Sequence, residues 1–582
     1  MGSIISTKKP LSPLTISSGA VKPIAKQPGE LDLRDWNKWN KLFKTNSHAI
    51  TKLCIQLVYH PSDLLYLYTM IFLFSPARKA ARILQNKTIS SLHYVFMASS
   101  SFEMSYLICN LKDSCHITSL NLDLSSVESC TPQDLKYLSM TLGNFKKLAS
   151  LTLTFPNLVE MTPKHIISLG FAFHRLRSLT DLSLKFTHRQ RPNSPSLKPL
   201  AKLLSKLTRL KSLALSQLAS TTPLAFTLLP PVLKKLTSLE GLNLDLAGMR
   251  GFQSKHLDQV FLTLKNNKPL KNITFNFKGC TVESPSSCPL SQGLAVLDLS
   301  QLQSFQLSCY SNLTNKTLEQ LTTVLQGSPL KRLNLDLCEG SFSSSYLQFC
   351  LDLQAFQSLS HLSLNPGDLT NGIKVMGAAI KPLIRLQSLD IDFSKQITKN
   401  ADNVDNELID FSANLRGLQN LKHLSLNLKN LDTILDKDMR TLLEDLQLTR
   451  PSKSSLTLVE MRIKWNKGVF SLFSSLTKLE KLKDLSLDLS GNDHFSIENL
   501  HNLSEAIQNL SLLNSVSLNF RDCESLSKEK ESFAPLFRSL GKLKLLKKII
   551  LHLPSKIEDQ NAALDCINCV EDQTIHWDCL SS

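Results

Sequence analysis

The sequence predicts an α/β protein built as a solenoid, with a parallel β-sheet on its concave face and α-helices on its convex face. Three observations support this fold class. A segment of alternating leucines returns with a mean period of 31 residues. The alternation within each segment is typical of a strand with one buried face, and the residues between segments take helical spacing. Because one repeat cannot bury its apolar faces alone, the repeats must stack.

The strand segments share the template L-x-x-L-x-L-x-[LF]. Its clear copies are residues 117–124, 148–155, 179–186, 239–246, 270–277, 330–337, 386–393, 421–428, 482–489, 513–520 and 546–553. Weaker copies are residues 50–57, 89–96, 210–217, 302–309, 359–366 and 458–465. At the fourth template position the series runs from Leu53 to Ile549, so the sequence predicts seventeen repeats.

The segments between the strands predict one helix in each repeat. Thr131 is a suitable N-cap and Pro132 suits the first helical position, and the leucines that follow up to residue 142 form one stripe. Residues 196–210 have the same character. Each repeat is therefore predicted to run strand, loop, helix and return.

The pattern resembles the leucine-rich repeat family, in particular its long-repeat, ribonuclease-inhibitor-like type, over about residues 50–555. The resemblance implies a horseshoe-shaped solenoid that binds other proteins, and nothing narrower, because such folds serve inhibitors, adaptors and regulators alike. Regulation of a small GTPase is therefore an alternative function, although no loop residue in the sequence indicates it.

One family feature is mostly missing. Members of the family place Asn or Cys five residues after the fourth-position leucine, and only Cys338 and Asn466 fit that position here. Cys280, Asn492 and Cys523 lie two residues further on and are candidates for a displaced version. We therefore expect irregular loops around an intact core of helices and strands.

The composition divides the chain into three predicted parts. Residues 1–40 are predicted as a disordered tail, residues 41–560 as the solenoid and residues 561–582 as a C-terminal cap or tail. The longest early apolar stretch, residues 64–74, is too short for a membrane span of roughly 20 residues. Thirteen scattered cysteines are typical of reduced thiols and predict a cytoplasmic protein.

The N-terminus carries a candidate lipidation signal. Gly2 and Ser6 fit the N-myristoylation pattern, and Lys8 and Lys9 follow. A single acyl chain binds membranes only weakly, so an anionic membrane would need to be recognised by basic residues as well. The alternative is a chance match to a short pattern.

The C-terminus carries a candidate metal site. Cys566, Cys569, His576 and Cys579 have the spacing C-x2-C-x6-H-x2-C, which supplies four ligands for tetrahedral zinc. The spacing matches no common zinc module. A capping segment with cysteines packed as apolar residues is the favoured interpretation, so no cofactor is predicted.

No enzyme motif occurs in the sequence. Phosphate-binding glycine loops, the H-E-x-x-H zinc motif, the kinase catalytic loop and the G-x-S-x-G elbow are all missing. Histidines such as His165, His174 and His361 occur singly within repeats. The sequence therefore predicts a non-enzymatic binding protein with no small-molecule substrate.

The residues between the leucines of each strand are predicted to face outward and bind a protein partner on the concave face. The candidates are Asn121, Asp123, Lys185, Asn243, Asp245, Asn276, Asn334, Asp336, Asp390, Asp392, Asn427, Arg462, Lys464 and Asp488. This set is polar with a negative bias, although the chain carries a net charge of +17. The excess of lysine and arginine must therefore lie elsewhere.

Much of the positive charge precedes the strands, in pairs such as Lys146 with Lys147 and Lys547 with Lys548. The first interpretation is that these cations meet the C-terminal ends of helix dipoles. The second is that they form a basic rim for an anionic membrane or nucleic acid. Because no aromatic residues interleave with them, nucleic acid is the less favoured partner.

Overall fold

A computed structural model of the chain describes residues 14–18, 31–32, 52–57, 91–96, 116–125, 132–155, 170, 173–186, 198–216, 228–249, 254–265, 270–280, 297, 299–309, 315–337, 352–365, 372–394, 401–428, 441–442, 445, 458–462, 473, 476–492, 495–523, 525–526, 533–554 and 574–577. The chain forms two compact units, unit 1 over residues 1–302 and unit 2 over residues 303–582. Each unit consists of parallel strands alternating with helices.

Unit 1 contains a parallel sheet. Its strands are β1 (Leu14–Ser18), β2 (Leu31–Asp32), β3 (Lys52–Leu57), β4 (Ser91–Phe96), β5 (Ser119–Asp123), β6 (Ser150–Phe155), β7 (Asp181–Phe186), β8 (Ser212–Ser216), β9 (Gly241–Asp245) and β10 (Asn272–Phe277). From β3 to β10 each strand pairs in parallel with the next, and β1 pairs with both β2 and β3. Its described helices are α1 (Pro132–Leu142), α2 (Lys198–Leu204), α3 (Leu229–Leu233) and α4 (Ser254–Leu264).

Unit 2 has the same construction. Its strands are β11 (Ser304–Cys309), β12 (Arg332–Asp336), β13 (His361–Asn365), β14 (Ser388–Asp392), β15 (His423–Asn427), β16 (Leu458–Arg462), β17 (Asp484–Asp488), β18 (Ser515–Asn519), β19 (Lys548–His552) and β20 (Thr574–Trp577). Every strand pairs in parallel with its neighbour in the chain. Its described helices are α5 (Asn315–Gln326), a 3-10 turn (Leu353–Ala355), α6 (Gly372–Ile380), α7 (Ala401–Leu415), α8 (Ile497–Asn509) and α9 (Ala534–Gly541).

The burial pattern explains why these segments form strands. In β5 the side chains of Leu120 and Leu122 are buried, whereas Asn121 between them is partly exposed. Helices cover the buried face through apolar contacts such as Phe261 of α4 against Phe275 of β10, whose ring centroids lie 5.5 Å apart. Alternating leucines therefore bury one face of each sheet against helices, and the predicted α/β repeat solenoid is confirmed.

The two terminal segments, which the sequence predicts to lie outside the solenoid, contain further strands. Strands β1 and β2 lie within residues 1–40, the segment predicted as a disordered tail, and β1 pairs with β3. At the other end β20 lies within residues 561–582 and pairs with β19. The parallel pairing thus extends beyond the segments that match the leucine template.

Backbone hydrogen bonds join consecutive repeats just before each strand. The carbonyl of Thr118 accepts from the backbone N–H groups of Ala149 and Ser150 at 2.8 and 3.0 Å. The carbonyl of Ala149 accepts in turn from Thr180 and Asp181 at 2.8 and 2.9 Å. Each repeat therefore offers its successor one acceptor at the same place, which fixes the register of the strands.

The turn that follows strands β9, β10, β17 and β18 contains a residue in the left-handed backbone conformation. Gly248, Gly279 and Gly491 have φ angles of 77°, 68° and 69°, and Asp522 has a φ of 60° at the equivalent place. Glycine adopts this conformation without steric cost, and Asp is among the residues that tolerate it. The first turn after each of these four strands is therefore regular, and the irregularity expected of the loops stays a prediction for the residues that follow.

The residue after the left-handed position is buried and holds the turn. Cys280 Sγ donates to the carbonyl of Leu246 at 3.0 Å, and Cys523 Sγ donates to the carbonyl of Leu489 at 3.2 Å. Asn492 Nδ2 donates to that same carbonyl of Leu489 at 2.7 Å. Cys280, Asn492 and Cys523 therefore stabilise the turns that follow their strands.

The buried position of Cys280 predicts an unreactive thiol. Burial raises the pKa of this thiol to about 11. At pH 8 its thiolate fraction is then on the order of 100-fold below that of an unfolded cysteine, so alkylation should slow by a similar factor. Peptide mass spectrometry after iodoacetamide labelling of native and urea-unfolded protein measures this ratio, and equal rates would contradict the burial.

The same shift gives a pH dependence of stability. Because the pKa of Cys280 is higher in the folded chain than the ordinary value of 9.0, the unfolded chain loses this proton first. The contribution is therefore complete below pH 9 and declines as the pH rises toward 11. The urea midpoint of the wild type should fall across this range more than that of Cys280→Ser.

Candidate functional site

The sheet face opposite the buried leucines carries two rows of side chains, one residue per strand in each row. The middle row lies between the two buried leucines of each strand, and the end row follows the second leucine. In unit 1 the middle row is Asn121, Thr152, Ser183, Ala214, Asn243 and Thr274, and the end row is Asp123, Thr154, Lys185, Ser216, Asp245 and Asn276. Small polar side chains predominate in both rows.

The sheet of unit 2 carries two rows of the same kind. There the middle row is Gln306, Asn334, Ser363, Asp390, Ser425, Glu460, Ser486, Ser517 and Ile550, and the end row is Ser308, Asp336, Asn365, Asp392, Asn427, Arg462, Asp488, Asn519 and His552. All predicted face residues in the described strands therefore occupy one of these rows.

The strand register corrects one repeat. The template placed Met461 at the fourth position of residues 458–465, but β16 pairs Val459 with Leu424 and Leu485. By strand register, the middle-row and end-row positions of this repeat are thus those of Glu460 and Arg462, whereas the template assigned Arg462 and Lys464. Lys464 lies outside the described residues. The sequence analysis did not assign Glu460 to either row.

The end row has a structural role that the sequence analysis missed. Asp123 Oδ1 accepts from the backbone N–H of Ser125 at 2.9 Å, and Asp245 Oδ1 accepts from Ala247 at 3.2 Å. The same turn recurs at four further end-row residues. They are Asn276, Asp392, Asp488 and Asn519, with distances of 3.1, 2.9, 3.1 and 3.1 Å.

This arrangement is the Asx turn, in which an Asp or Asn side chain mimics a backbone turn. It explains why Asp and Asn recur at the end of the strand. The signal was available in the sequence, because both residue types favour turns at this position. One carboxylate oxygen of Asp123, Asp245, Asp392 and Asp488 is therefore engaged in ending its strand.

Asp390 is a middle-row acid without this role. Its side chain is exposed, and its Oδ2 accepts from the hydroxyl of Ser363 at 3.0 Å. Within the part of the chain that the structure describes, neither Asp390, Asp392 nor Asp488 forms a salt bridge. Their negative charge is consequently not neutralised by a described cation of the protein.

Two titratable residues at the start of the unit 2 strands have shifted pKa values. Desolvation lowers the pKa of His361, and the nearby Arg332 and His423 lower it further. Desolvation also raises the pKa of Asp484, with His423 acting in the opposite direction. The neutral form of His361 is therefore favoured.

The basic residues lie in the turns between the end of a helix and the next strand. In unit 1 they are Lys146, Lys147, Arg175, Arg177, Lys206, Arg209, Lys211, Lys234, Lys235 and Lys271. Lys234 directly follows α3, but Lys146 comes four residues after the end of α1 at Leu142. Since the helix dipole acts only near the last turn, it accounts for some of these cations and not for others.

Glu240, the acidic residue in these turns of unit 1, forms ion pairs with two lysines. Glu240 contacts Lys271 at 2.9 Å and Lys211 at 3.5 Å. The hydrogen bond from Lys271 lowers the pKa of Glu240, with partial desolvation opposing it. The edge of the sheet where the strands begin is therefore positively charged, as the sequence indicates.

The two candidate terminal sites are not described. Gly2, Cys566, Cys569 and Cys579 lie outside the described residues, and only the backbone of His576 is placed, in β20. Among the residues that the structure does describe, no three His, Cys, Asp or Glu side chains cluster as metal ligands. No described helix has the length and apolarity needed to cross a bilayer.

Comparison with known proteins finds similar folds among solved structures. No protein-family model and no curated protein matches the sequence. Among solved structures, the chain is similar to a chain in the crystal structure of the Rad7 and Elc1 complex in yeast. The similarity covers 89% of this chain and 98% of that chain, with 14% sequence identity and a TM-score of 0.42.

Proposed function

We propose that the protein is a non-enzymatic scaffold that binds other proteins through the sheet face bearing the middle and end rows. The observation that carries this proposal is the run of uncompensated acids on the face of unit 2. Among the described residues, Asp390, Asp392 and Asp488 form no salt bridge. The partner of this face is therefore a protein surface rich in lysine and arginine.

The dimensions of the face favour a protein over a small molecule. The nine strands β11 to β19 at about 4.8 Å each span roughly 40 Å. Small ligands bind in apolar cavities, whereas this face is an open row of short polar side chains. Because the rows contain few large side chains, the partner supplies the arginine or aromatic residues that dominate binding energy.

The experiment must remove charge without breaking the turns. Asp→Asn removes one negative charge and keeps the Oδ1 acceptor of the Asx turn. Asp→Lys would remove the acceptor together with the negative charge. The face variant is Asp390→Asn, Asp392→Asn and Asp488→Asn. Its matched control removes three exposed helix acids of the same unit, Glu319→Gln, Glu498→Gln and Glu505→Gln.

Quantitative pull-down with isotope-labelled lysates compares the three proteins. We expect a set of basic proteins that the wild type and the helix control retain equally and that the face variant retains about tenfold less, as expected for three charges of 0.2–1 kcal/mol each. If the face variant and the helix control retain the same proteins equally, the proposed face is wrong.

The finer predictions from the sequence belong to this proposal. They are a ribonuclease-inhibitor-like repeat type, a cytoplasmic location, and myristoylation of Gly2 that brings the scaffold to a membrane. The motif MGSIISTKK supports the lipidation. Intact mass spectrometry of the native protein tests it, since a myristoyl group adds a defined mass to the N-terminal peptide.

A further inference from the structure

Three neighbouring turns at one edge of unit 2 combine exposed lysines with exposed leucines. They precede β17, β18 and β19, and each contains two buried leucines separated by two outward residues. The buried pairs are Leu479 with Leu482, Leu510 with Leu513, and Leu543 with Leu546. The outward pairs are Glu480 with Lys481, Ser511 with Leu512, and Lys544 with Leu545.

The three turns have the same backbone geometry. The second buried leucine of each turn donates its N–H to the carbonyl of the first, at 2.9, 3.1 and 3.2 Å. Neighbouring turns are also joined, because the carbonyl of Lys483 accepts from Asn514 at 2.6 Å and that of Asn514 accepts from Lys547 at 2.7 Å. These turns therefore present their outward residues from a rigid edge.

Within this edge two leucines occupy the same place in adjacent turns. Ser515 of β18 lies opposite Lys548 of β19, so Leu512 and Leu545 both stand three residues before a matched pair. Their exposed fractions are 39% and 46%. At about 4.8 Å between neighbouring strands, the two side chains form one small apolar patch at the tip of the turns.

Lysines surround this patch. Seven exposed lysines lie in the same three turns and the strand starts beside them, namely Lys478, Lys481, Lys483, Lys542, Lys544, Lys547 and Lys548. Only two acids, Glu480 and Asp484, lie among them. The turn before β14 has a similar composition, with Ile384 exposed at 57% between Lys381 and Arg385.

We propose that the turns preceding β17, β18 and β19 form a membrane-docking edge that binds a bilayer containing anionic phospholipids. The lysines contact the lipid phosphates and carboxylates, and Leu512 and Leu545 enter the boundary between headgroups and acyl chains. This surface is separate from the acidic sheet face and does not depend on the proposed function of that face.

Charge and apolarity together favour lipid over nucleic acid. A basic surface attracts any polyanion. Exposed leucines, however, contribute binding free energy only where an apolar phase lies behind the phosphates. Nucleic acid binding to single strands uses aromatic side chains for stacking, and these three turns contain none. The basic turns of unit 1 lack exposed large apolar residues among those described, so they offer charge alone.

Co-sedimentation with vesicles tests the proposal on full-length protein without an N-terminal acyl group. The vesicles are phosphatidylcholine alone or phosphatidylcholine with 30% phosphatidylserine, a composition chosen to give roughly the surface charge of a cytoplasmic leaflet. The leucine variant is Leu512→Ser with Leu545→Ser. Its matched control is Met140→Ser with Leu262→Ser, which removes two apolar side chains of somewhat greater exposure, 57% and 53%, from helices α1 and α4.

We expect the wild type and the helix control to bind anionic vesicles equally and neutral vesicles hardly at all. The leucine variant should bind anionic vesicles at least tenfold more weakly, and Lys544→Gln with Lys547→Gln and Lys548→Gln should do the same. Circular dichroism melting checks that all variants fold, as expected for exposed positions.

Two outcomes would overturn the proposal. One is that the wild type does not sediment with anionic vesicles. The other is that the leucine variant binds vesicles and a single-stranded RNA oligonucleotide as tightly as the wild type does, because the edge would then be a general polyanion surface. Neither result bears on the pull-down test of the acidic face.

Discussion

Replacing Arg416 by alanine should lower the free energy of unfolding by about 3 kcal/mol, because the carboxylate of Asp445 would stay buried without its counter-ion. The Asp445 side chain is 2% exposed, whereas that of Arg416 is 52% exposed. Arg416 Nε donates to Asp445 Oδ1 at 2.8 Å, and a second guanidinium nitrogen contacts the same oxygen. Ser412 donates to Oδ2 at 2.8 Å.

The surroundings of the ion pair between Arg416 and Asp445 explain why its loss should be costly. Ser412 is fully buried in α7, and Arg416 directly follows the end of that helix at Leu415. Without the arginine, the carboxylate keeps one neutral donor, and an unpaired buried charge costs far more than an exposed one. Arg416 thus anchors the segment that contains Asp445 to α7.

An exposed ion pair of the same unit provides the control. Lys374 contacts Asp410 at 2.9 Å with side chains 64% and 46% exposed, so Lys374→Ala should cost less than about 1 kcal/mol. Urea denaturation, combined with hydrogen exchange of peptides from α7, measures both effects. Equal losses for Arg416→Ala and Lys374→Ala would show that burial does not strengthen the first pair.

Replacing Gly377 by alanine should destabilise the protein by about 2 kcal/mol, although alanine is the better helix former. A Cβ at Gly377 would lie 2.8 Å from the Cα of Phe411 and 3.1 Å from Asn414 Nδ2. Helices α6 and α7 pack closely at this point, and a backbone atom cannot rotate away. The two helices would have to separate.

The same substitution should have the opposite effect at Gly327. A Cβ there meets no atom within 4 Å, and its φ is not in the left-handed region. Gly327→Ala should therefore raise the free energy of unfolding by about 0.5 kcal/mol, because it restricts the unfolded chain. Urea midpoints of the two variants give the signs directly, and a stabilising Gly377→Ala would contradict the close packing of α6 and α7.

The fold could be predicted because its strongest signal is local. Leucines at fixed spacing, such as Leu120 and Leu122, define both the strand and its buried face, and repetition along the chain amplifies the signal. Among the template segments, the register was assigned wrongly only at β16. There, residues 456–465 fit the leucine template in two registers that are two residues apart. Only pairing with Leu424 and Leu485 decides between them.

The candidate site was less predictable than the fold. Alternation alone places Asp245 or Asp488 on the outward face, but it does not tell whether the acid serves a partner or its own backbone. The Asx turns show that at least one oxygen of these end-row acids serves its own backbone. Contacts between residues distant in sequence, such as Arg416 with Asp445, leave no periodic trace and could not be found.

The hydrogen bonds that join neighbouring repeats also bear on how such a chain can change length during evolution. The carbonyl of Thr118 accepts from Ala149 and Ser150, and the carbonyl of Ala149 serves Thr180 and Asp181 in the same manner. Excision of residues 150–180 would bring Asp181 next to Ala149, and the carbonyl of Thr118 would again meet two donors. Recombination between repeats can therefore alter copy number without leaving a backbone group unsatisfied.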